Sequence, residues 1–545
     1  MKTQINPEIR RALFASDISR KVVLESKLLP LESATHLVVN VWRNTGVEAY
    51  LPVLEKYHNY YGFRINFKVS AYDNSFDTRE RGDADLDLIY VSLDEIKVER
   101  IWELLELRAT DLINRGAKNI SIAIQTSSEI ALPEAGLEPF RVSFPGIRLL
   151  IVSKEHMYEN GRFQDKRLVS ISANWLAVDA YAFFGRLIAL NLMLPFFTTG
   201  IKMIAVDLDN TLYKGVIAED GLNGISQSNI QLTLIKWLQS QKERGILLGV
   251  VTRNVAEDVE TLFQKFPEWE GLFDFVHASW EPKENHFQEL LHVTRISAES
   301  IMFIDDSIFE IENVQKAFPN IQPVLFTDEE STLFFIQTHP GLGSKVSPSA
   351  LKIDRAADLK SNKMRDSIFS VMSDRDAFKV LEVQLKFEVN NPSLIQRSGE
   401  LSSKTNQFNF ALNRYSELEL RSYMESINKK VVLASLQDKY ADSGIVSLLC
   451  LDYSKPTEVV VDEFCISCRA IGRGLEDEIF FGSLSRVLDR SLVEDLECVK
   501  IMYQKGERNS PAIEWANNRK WEVTPNWIEI PIDSVLGWQT LITEA

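Results

Sequence analysis

A short apolar run followed by two carboxylates constrains the fold of this chain more than any other feature. Residues 203–206 read Met-Ile-Ala-Val, and Asp207 and Asp209 come directly after them. A continuous apolar strand is typical of a parallel sheet that helices cover on both faces. Such sheets bind ligands at the carboxyl ends of their strands. The pattern therefore predicts an α/β domain in which both carboxylates face one cavity.

Further polar residues follow later apolar or strand-like segments. They are Thr252 after residues 246–251, Lys283 in the segment Ser-Trp-Glu-Pro-Lys at 279–283, and the pair Asp305 and Asp306 after residues 301–304. Each alone is weak evidence, because Asp-Asp pairs are common in turns and a lone lysine is usually solvated. The carboxyl ends of parallel strands lie on one edge of a sheet, so we expect these side chains to converge.

The order Asp-x-Asp-x-Thr, Thr, Lys and Asp-Asp resembles the haloacid dehalogenase (HAD) superfamily of phosphoryl-transfer enzymes. In such a site Asp207 is expected to attack phosphorus and form an aspartyl-phosphate. Asp209 is expected to protonate the leaving oxygen and then to activate water. The substrate-binding residues are expected to be Thr211, Thr252, Asn254 and Lys283.

The expected cation is Mg2+, because it prefers hard oxygen ligands. Its candidate ligands are Asp207, the carbonyl of Asp209, Asp305 and Asp306. The intervals between these motifs hold a short flap, residues 212–225, and single helices and strands. They have no room for a cap domain, so the site is expected to be uncapped.

The segment patterns predict a multidomain α/β protein. Residues 1–200 are expected to form a doubly wound sheet related to SGNH hydrolases, with strands at 36–42, 86–91, 120–124 and 147–152 and a helix at 47–61. No Gly-Asp-Ser serine follows the first of these strands and no Asp-x-x-His follows later, so this domain is expected to be non-catalytic. Residues 201–340 form the HAD domain, 341–377 a helical linker, and 378–545 an α+β domain that begins with a strand at 380–387.

The C-terminal domain contains a glycine-rich turn between a predicted strand and helix. Arg469, Gly472 and Gly474 belong to the pattern Arg-x-x-Gly-x-Gly. Backbone N–H groups of such a turn can bind a pyrophosphate. The turn resembles the coenzyme-A-binding turn of GNAT acyltransferases, which implies coenzyme A or the phosphopantetheine arm of a carrier protein as cofactor.

Several motifs together resemble the FkbH-like proteins, subfamily IIIC of the HAD superfamily. The matching pieces are Asp207–Leu212, Gly215–Ile217, Glu219–Gly221, Trp280–Lys283, Phe303–Asp306, Lys404–Asn409, Ser467–Arg469 and Gly472–Gly474. The resemblance implies removal of phosphate from a glyceryl donor such as 1,3-bisphosphoglycerate and transfer of the acyl unit to an acyl carrier protein in natural-product biosynthesis. Cys468 then matches a thioester-forming nucleophile, although a buried strand cysteine fits the position as well.

Two alternatives stay open at this stage. One is a phosphatase of a small phosphorylated metabolite in sugar or polysaccharide biosynthesis, with a separate GNAT N-acyltransferase activity. The other is a scaffold with an inactive site. The chain departs from the FkbH-like pattern at Arg253, where relatives usually have lysine. This replacement is expected to alter the contacts to the outer part of the substrate. The polar block 403–409 with Arg414 fits a recognition loop or a capped helix end equally well.

Composition limits the partners. The net charge is −17, from 77 acidic and 60 basic side chains, which disfavours nucleic acid and anionic membrane surfaces as partners. A docking patch for a carrier protein would need local basic residues, of which the candidates are Arg397, Lys404, Arg414, Arg469 and Arg473. Four cysteines make no disulfide framework, and the apolar stretch 175–197 contains charged residues and is expected to be a buried helix. A cytoplasmic location is therefore expected.

Overall fold

The computed structural model describes residues 6–28, 34–96, 98–127, 130, 132–156, 162–269, 271–343, 361–467, 469–488, 496–506, 509–519 and 521–542. The chain forms two compact units. One comprises the described residues of 1–291 and 296–347, and the other those of 292–295 and 348–545. The first unit holds two parallel sheets and the second holds one mixed sheet, so the predicted multidomain α/β class is confirmed.

The first sheet is parallel throughout and has the order β2-β1-β3-β4-β5. Its strands are β1 (Thr35–Arg43), β2 (Phe63–Tyr72), β3 (Leu86–Ser92), β4 (Ile120–Gln125) and β5 (Arg148–Val152). The sequence patterns missed β2, because this edge strand alternates between half-buried and exposed residues and carries no apolar run. The helices around this sheet are Pro7–Phe14, Arg20–Glu25, Leu51–Tyr60, Ile101–Asn114, Leu137–Ser143, Val169–Ser172 and Val178–Leu187.

At the carboxyl edge of the first sheet, loop residues hydrogen-bond to one another and pack closely. Asn174 Nδ2 donates to the carbonyl of Gly46 at 2.9 Å, and a Cβ built on Gly46 would lie 1.7 Å from the carbonyl oxygen of Ser172. Beside them Asn44 and Ser92 exchange two hydrogen bonds of 2.7 and 3.0 Å. The polar groups at these strand ends are thus bound to one another. The non-catalytic role of this domain stays a prediction.

The apolar stretch near residue 180 is a buried helix, as predicted. It runs from Val178–Leu187 through a π-helical turn, Ile188–Met193, to a 3-10 turn, Leu194–Phe196. It is the candidate membrane span among the described residues, and 72% of its apolar window is buried inside the fold. Arg186 lies fully buried within it, donates to the carbonyl of Ala15 at 2.6 Å, and lies over the Phe334 ring.

The second sheet is also parallel, with the order β10-β9-β6-β7-β8. Its strands are β6 (Met203–Val206), β7 (Leu247–Thr252), β8 (Phe275–Ala278), β9 (Ile301–Asp305) and β10 (Gln322–Leu325). The helices are Ile217–Gly224, Asn229–Glu243, Ala256–Lys265, Lys283–Thr294, Ile308–Ala317 and Glu330–Gln337. In the described residues between Thr211 and Lys283 these elements leave no segment for a cap domain. One continuous hydrophobic core contains residues from both parallel sheets.

The second unit contains the third sheet. Its strand order is β11-β13-β14-β15-β16-β18-β17, and β12 pairs with β15. Its strands are β11 (Gln384–Val389), β12 (Phe408–Asn409), β13 (Lys429–Gln437), β14 (Asp442–Asp452), β15 (Glu458–Ile466), β16 (Cys498–Met502), β17 (Glu522–Val523) and β18 (Trp527–Pro531). The described strand pairs are antiparallel except β15 with β16, which are parallel. The helices are Asn362–Phe369, Asp374–Leu381, Ile395–Lys404, Glu417–Glu425, Glu476–Ser485, Ser510–Asn517 and Ile532–Leu536.

The start of the third sheet differs from the sequence prediction. Residues 380–387 alternate as a strand would, but Val380 and Leu381 end a helix and β11 begins at Gln384. Ser373 caps that helix by accepting from the N–H of Asp376, and Glu382 ends it in the left-handed region at φ 53°. Local capping therefore sets the boundary here. Of the predicted linker, residues 344–360 lie outside the described part, so the domain boundaries stay predictions.

Candidate active site

The loop after β6 curls so that both of its carboxylates stay at the strand end. The N–H of Asp207 still donates to the carbonyl of Ile304 on β9 at 3.0 Å. Asn210 then takes a left-handed conformation with φ 51°, and its side-chain oxygen accepts from the N–H of Gly215 at 3.0 Å. Asn tolerates this region better than most residues because its short side chain bonds nearby backbone. This turn prevents the strand alternation from separating the two aspartates.

Lys283 joins two of the predicted site carboxylates. Its Nζ lies 2.8 Å from Asp207 Oδ1 and 2.6 Å from Asp305 Oδ2, and its side chain is only 3% exposed. Burial lowers the pKa of Lys283, but the charges of Asp207 and Asp305 outweigh burial and raise the pKa overall. The lysine is therefore a fixed cation between a strand end of β6 and one of β9.

Three carboxylates form a candidate cation site. One oxygen from each of Asp207, Asp305 and Asp306 lies within 4.8 Å of the others. Ser307 orients Asp305 by donating its N–H to Oδ1 at 2.8 Å. Burial and the charge of Asp207 raise the pKa of Asp306 to about 6, and the same causes raise that of Asp305. Lys283 supplies one positive charge against three carboxylates, so the cluster keeps an excess of negative charge.

These residues fit Mg2+. The donor set consists of hard carboxylate oxygens, which Mg2+ binds at about 2.1 Å, so that opposite ligands are about 4.2 Å apart. The observed spacing needs only small side-chain shifts to reach that geometry. Asp207, Asp305 and Asp306 would hold the ion, and the carbonyl of Asp209 stays a predicted ligand.

Three donors hold the carboxylate of Asp209 in place. Its Oδ1 accepts from the Tyr213 hydroxyl and from the N–H of Ile217 at 3.1 Å, and its Oδ2 accepts from Asn254 Nδ2 at 2.9 Å. The sequence patterns missed Tyr213, which is buried and stacks on Trp269. Asp209 and Tyr213 lie on either side of a turn and form an isolated β-bridge, a contact that the sequence patterns do not signal.

The two threonines are buried beside these groups. Thr252 Oγ1 accepts from Asn254 Nδ2 at 3.0 Å, which links the end of β7 to Asp209. Thr211 is fully buried, and among the described residues its hydroxyl has no hydrogen-bond partner. A buried hydroxyl in this position requires a polar partner such as water or a ligand oxygen.

The phosphoryl-transfer residues predicted from sequence are thus brought together in the first unit. They form two linked groups, Asp207 with Lys283, Asp305 and Asp306, and Asp209 with Thr252 and Asn254. All lie at or shortly after the carboxyl ends of strands β6, β7, β8 and β9, at one edge of the sheet. The catalytic role of each residue stays a prediction.

Comparison with known proteins finds weak structural likeness only. No protein-family model and no curated protein matches the chain. One similar solved structure is the N-terminal part of the protein BF1531 from Bacteroides fragilis, containing a phosphatase domain complexed with Mg. It has 16% identity and a TM-score of 0.42, and the match covers 61% of this chain and 97% of that one.

A second solved structure is a GCN5-related glucosamine N-acetyltransferase region of a fungal multi-domain GH3 beta-N-acetylglucosaminidase. It has 9% identity and a TM-score of 0.19, covering 96% of this chain and 69% of that one. Neither likeness establishes a function for this chain. Membership of the FkbH-like group stays a prediction.

The glycine-rich turn of the second unit is described in part, and Cys468 lies outside the described residues. Gly472 and Gly474 have φ of 75° and 65°, which favours glycine. The N–H of Gly472 donates to Glu476 Oε1 at 3.4 Å, and Arg469 donates to the carbonyls of Ser443 and Ile445. A pyrophosphate at this turn would have to displace the Glu476 carboxylate from that N–H.

The polar block 403–409 is tied to a helix end. Arg414 donates to the carbonyls of Ser403 and Thr405 at 2.9 and 2.8 Å, near the end of helix Ile395–Lys404. Asn409 donates to the buried Glu463 on β15 at 2.7 Å. Of the two alternatives left open by the sequence, these contacts favour the capped helix end over a free recognition loop.

Proposed function

We propose that the first unit is a Mg2+-dependent phosphoryl hydrolase or transferase with Asp207 as its nucleophile. The observation that carries the proposal is the meeting of Asp207, Lys283, Asp305 and Asp306 at one sheet edge. Three buried or half-buried carboxylates around one ammonium form an arrangement that costs stability unless a cation binds. Carboxylates whose pKa is shifted by burial and by a specific charged neighbour are candidates for a functional site.

The side chains support a two-step reaction. Asp207 attacks the phosphorus and forms an aspartyl-phosphate, while the bond from phosphorus to the leaving oxygen breaks. Asp209 donates its proton to that oxygen, then takes a proton from water, and the hydroxide so formed attacks the phosphorus. Phosphate leaves and Asp207 is restored. Lys283 and the hydroxyl of Thr252 hold the phosphoryl oxygens throughout.

Mg2+, when bound, neutralises charge between the anionic nucleophile and the anionic substrate. Tyr213, Asn254 and the N–H of Ile217 keep the Asp209 carboxylate in one orientation. Positioning and charge stabilisation are the main contributions to phosphoryl transfer, so fixed donors of this kind are the groups that such a site requires.

Removal of divalent cations is expected to abolish phosphate release from p-nitrophenyl phosphate. Activity should return with Mg2+ but not with Ca2+, whose longer bonds do not suit a compact octahedral site. Mg2+ at about 100 times its dissociation constant should also stabilise the fold by about 2.7 kcal/mol. Thermal unfolding with EDTA and with Mg2+ measures this binding independently of activity.

The control for cation binding is Asp305→Asn, which removes one ligand charge and should weaken the Mg2+-induced shift in melting temperature. Full activity of the wild-type protein in excess EDTA would contradict the assignment of Mg2+.

We further propose that the phosphorylated substrate is a glyceryl acyl phosphate such as 1,3-bisphosphoglycerate and that the acyl unit passes to an acyl carrier protein. The uncapped site supports this proposal, because the described intervals contain no domain that would exclude a protein-bound arm. The parallel pair β15–β16 and the turn at Gly472 and Gly474 support an acyltransferase-like role for the second unit.

Intact-protein mass spectrometry of a carrier protein incubated with the enzyme, Mg2+ and 1,3-bisphosphoglycerate tests this acyl transfer. A glyceryl mass gain that disappears in Cys468→Ala is the expected result. Phosphate release without any mass gain would favour the alternative, a phosphatase of a small phosphorylated metabolite with a separate N-acyltransferase activity.

A further inference from the structure

An ion pair joins the loop after β7 to the helix after β9, beside the candidate active site. Arg253 Nη1 donates to Glu310 Oε1 at 2.9 Å. The Arg253 side chain is 44% exposed and that of Glu310 is 10% exposed, so the carboxylate is the buried anchor and the guanidinium is accessible. The pair is therefore positioned to meet a molecule that enters from solvent.

The position of the pair follows from the strand order. Arg253 comes directly after β7, between Thr252 and Asn254, which contact each other beside Asp209. Glu310 lies one helical turn after Ser307, which holds Asp305 at the end of β9. Because β6 lies between β7 and β9 in the sheet, the pair spans the end of β6, where Asp207 lies.

The guanidinium retains binding capacity. Arginine carries five N–H donors in a planar fork that matches carboxylate and phosphate oxygens. Among the residues that the structure describes, Glu310 is the hydrogen-bond partner of Arg253. Nearby, the loop after β8 exposes the ring of Trp280 (60%), and the first turn of the helix after β9 exposes that of Phe309 (62%).

We propose that Arg253 determines substrate specificity by binding a second anionic group, a carboxylate or a phosphate, on the part of the substrate that is not transferred. This inference rests on the proposed phosphoryl transfer at Asp207. The phosphoryl group itself is bound by Lys283 and Thr252, so Arg253 contacts the substrate outside the reacting atoms. Glu310 competes for the same guanidinium and holds it in place in the absence of substrate.

The test compares kcat and KM for three phosphomonoesters of similar size. Glycerol 3-phosphate has a neutral distal end, 3-phosphoglycerate has a distal carboxylate, and propane-1,3-diol bisphosphate has a distal phosphate. Arg253→Gln should raise KM for the two substrates with an anionic end by about tenfold to a hundredfold relative to glycerol 3-phosphate. Which of the two is more affected distinguishes carboxylate from phosphate recognition.

Two further variants separate specificity from structure. Glu310→Gln should lower KM for the same two substrates severalfold, because it releases the guanidinium of Arg253. If the ion pair were only structural, Arg253→Gln and Glu310→Gln would both raise KM. Lys316→Gln removes one positive charge at the far end of the same helix and should leave the KM ratio unchanged.

The outcomes distinguish the two proposals. A KM ratio that is the same in the wild type and in Arg253→Gln would overturn the role of Arg253 while leaving phosphoryl transfer intact. Failure of the wild-type protein to hydrolyse p-nitrophenyl phosphate or any of the three esters would overturn both.

Discussion

Asp207→Asn is expected to lower kcat for phosphate release by about four to six orders of magnitude. The amide is nearly isosteric with the carboxylate, so packing changes little, but its oxygen is not a nucleophile toward phosphorus. Without bound cation the variant should also be more stable than the wild type, because one negative charge leaves a cluster with a single ammonium. Activity and stability are thus expected to change in opposite directions.

The measurement is phosphate release together with thermal unfolding in EDTA. Asp274→Asn is the matched control, because Asp274 is also a buried carboxylate in an ion pair, 3.0 Å from Lys242 Nζ, and it accepts from the N–H of Leu248. It precedes β8 and therefore lies at the amino edge of the same sheet, so its replacement should keep activity within a fewfold. Activity of Asp207→Asn near the wild-type level would rule out the proposed nucleophile and leave a scaffold as the better hypothesis.

Lys283→Met is expected to destabilise the first unit by about 3–5 kcal/mol in the absence of divalent cations. The substitution keeps much of the side-chain volume but leaves the carboxylates of Asp207 and Asp305 buried without their ammonium. Mg2+ supplies positive charge to the same oxygens, so it should recover a larger part of the stability in this variant than in the wild type. Loss of a charged contact to the phosphoryl group should still lower kcat/KM by about a hundredfold to a thousandfold.

Chemical denaturation with EDTA and with Mg2+ separates these effects. Lys214→Met serves as the control, since Lys214 pairs with Asp328 and the two side chains are 53% and 36% exposed, so its loss should cost about 1 kcal/mol or less. If Lys283→Met were as stable as the wild type in EDTA, the ammonium would not compensate the carboxylate charges. Its position between them would then make no contribution to the free energy of unfolding.

Most of the candidate site residues could be found from the sequence because they come at the end of apolar runs that read as buried strands; Lys283, which follows Ser-Trp-Glu-Pro, was found from its place in the motif order. Because these strands are parallel neighbours, their carboxyl ends lie at one edge of the sheet, and the side chains come together there for any loop conformation. Tyr213, Ser307 and Glu310 were missed because their roles depend on side-chain direction within a single turn, which short patterns do not fix. The edge strand β2 was missed for a different reason, since a half-exposed strand has no continuous apolar run.

The second unit was harder to predict. Its strands are mostly antiparallel and alternate in polarity, and alternation alone placed a strand over Val380 and Leu381, where the capped helix continues. The polar block before Asn409 could be read as a loop or as a helix end, because capping residues and recognition residues are the same types. Long-range contacts, such as Asn409 to Glu463, decide between them.

The continuous core beneath the two parallel sheets has a consequence for dissecting the protein. The first helix, Pro7–Phe14, packs Phe14 against Phe335 with ring centroids 5.0 Å apart, and Arg10 reaches Thr332 at 3.2 Å. A cut near residue 200 would therefore remove apolar contacts from helix Glu330–Gln337, which follows β10, the edge strand of the second sheet. The part of the chain that carries the candidate site is therefore expected to fold properly only when the first sheet and its helices are kept on the same polypeptide.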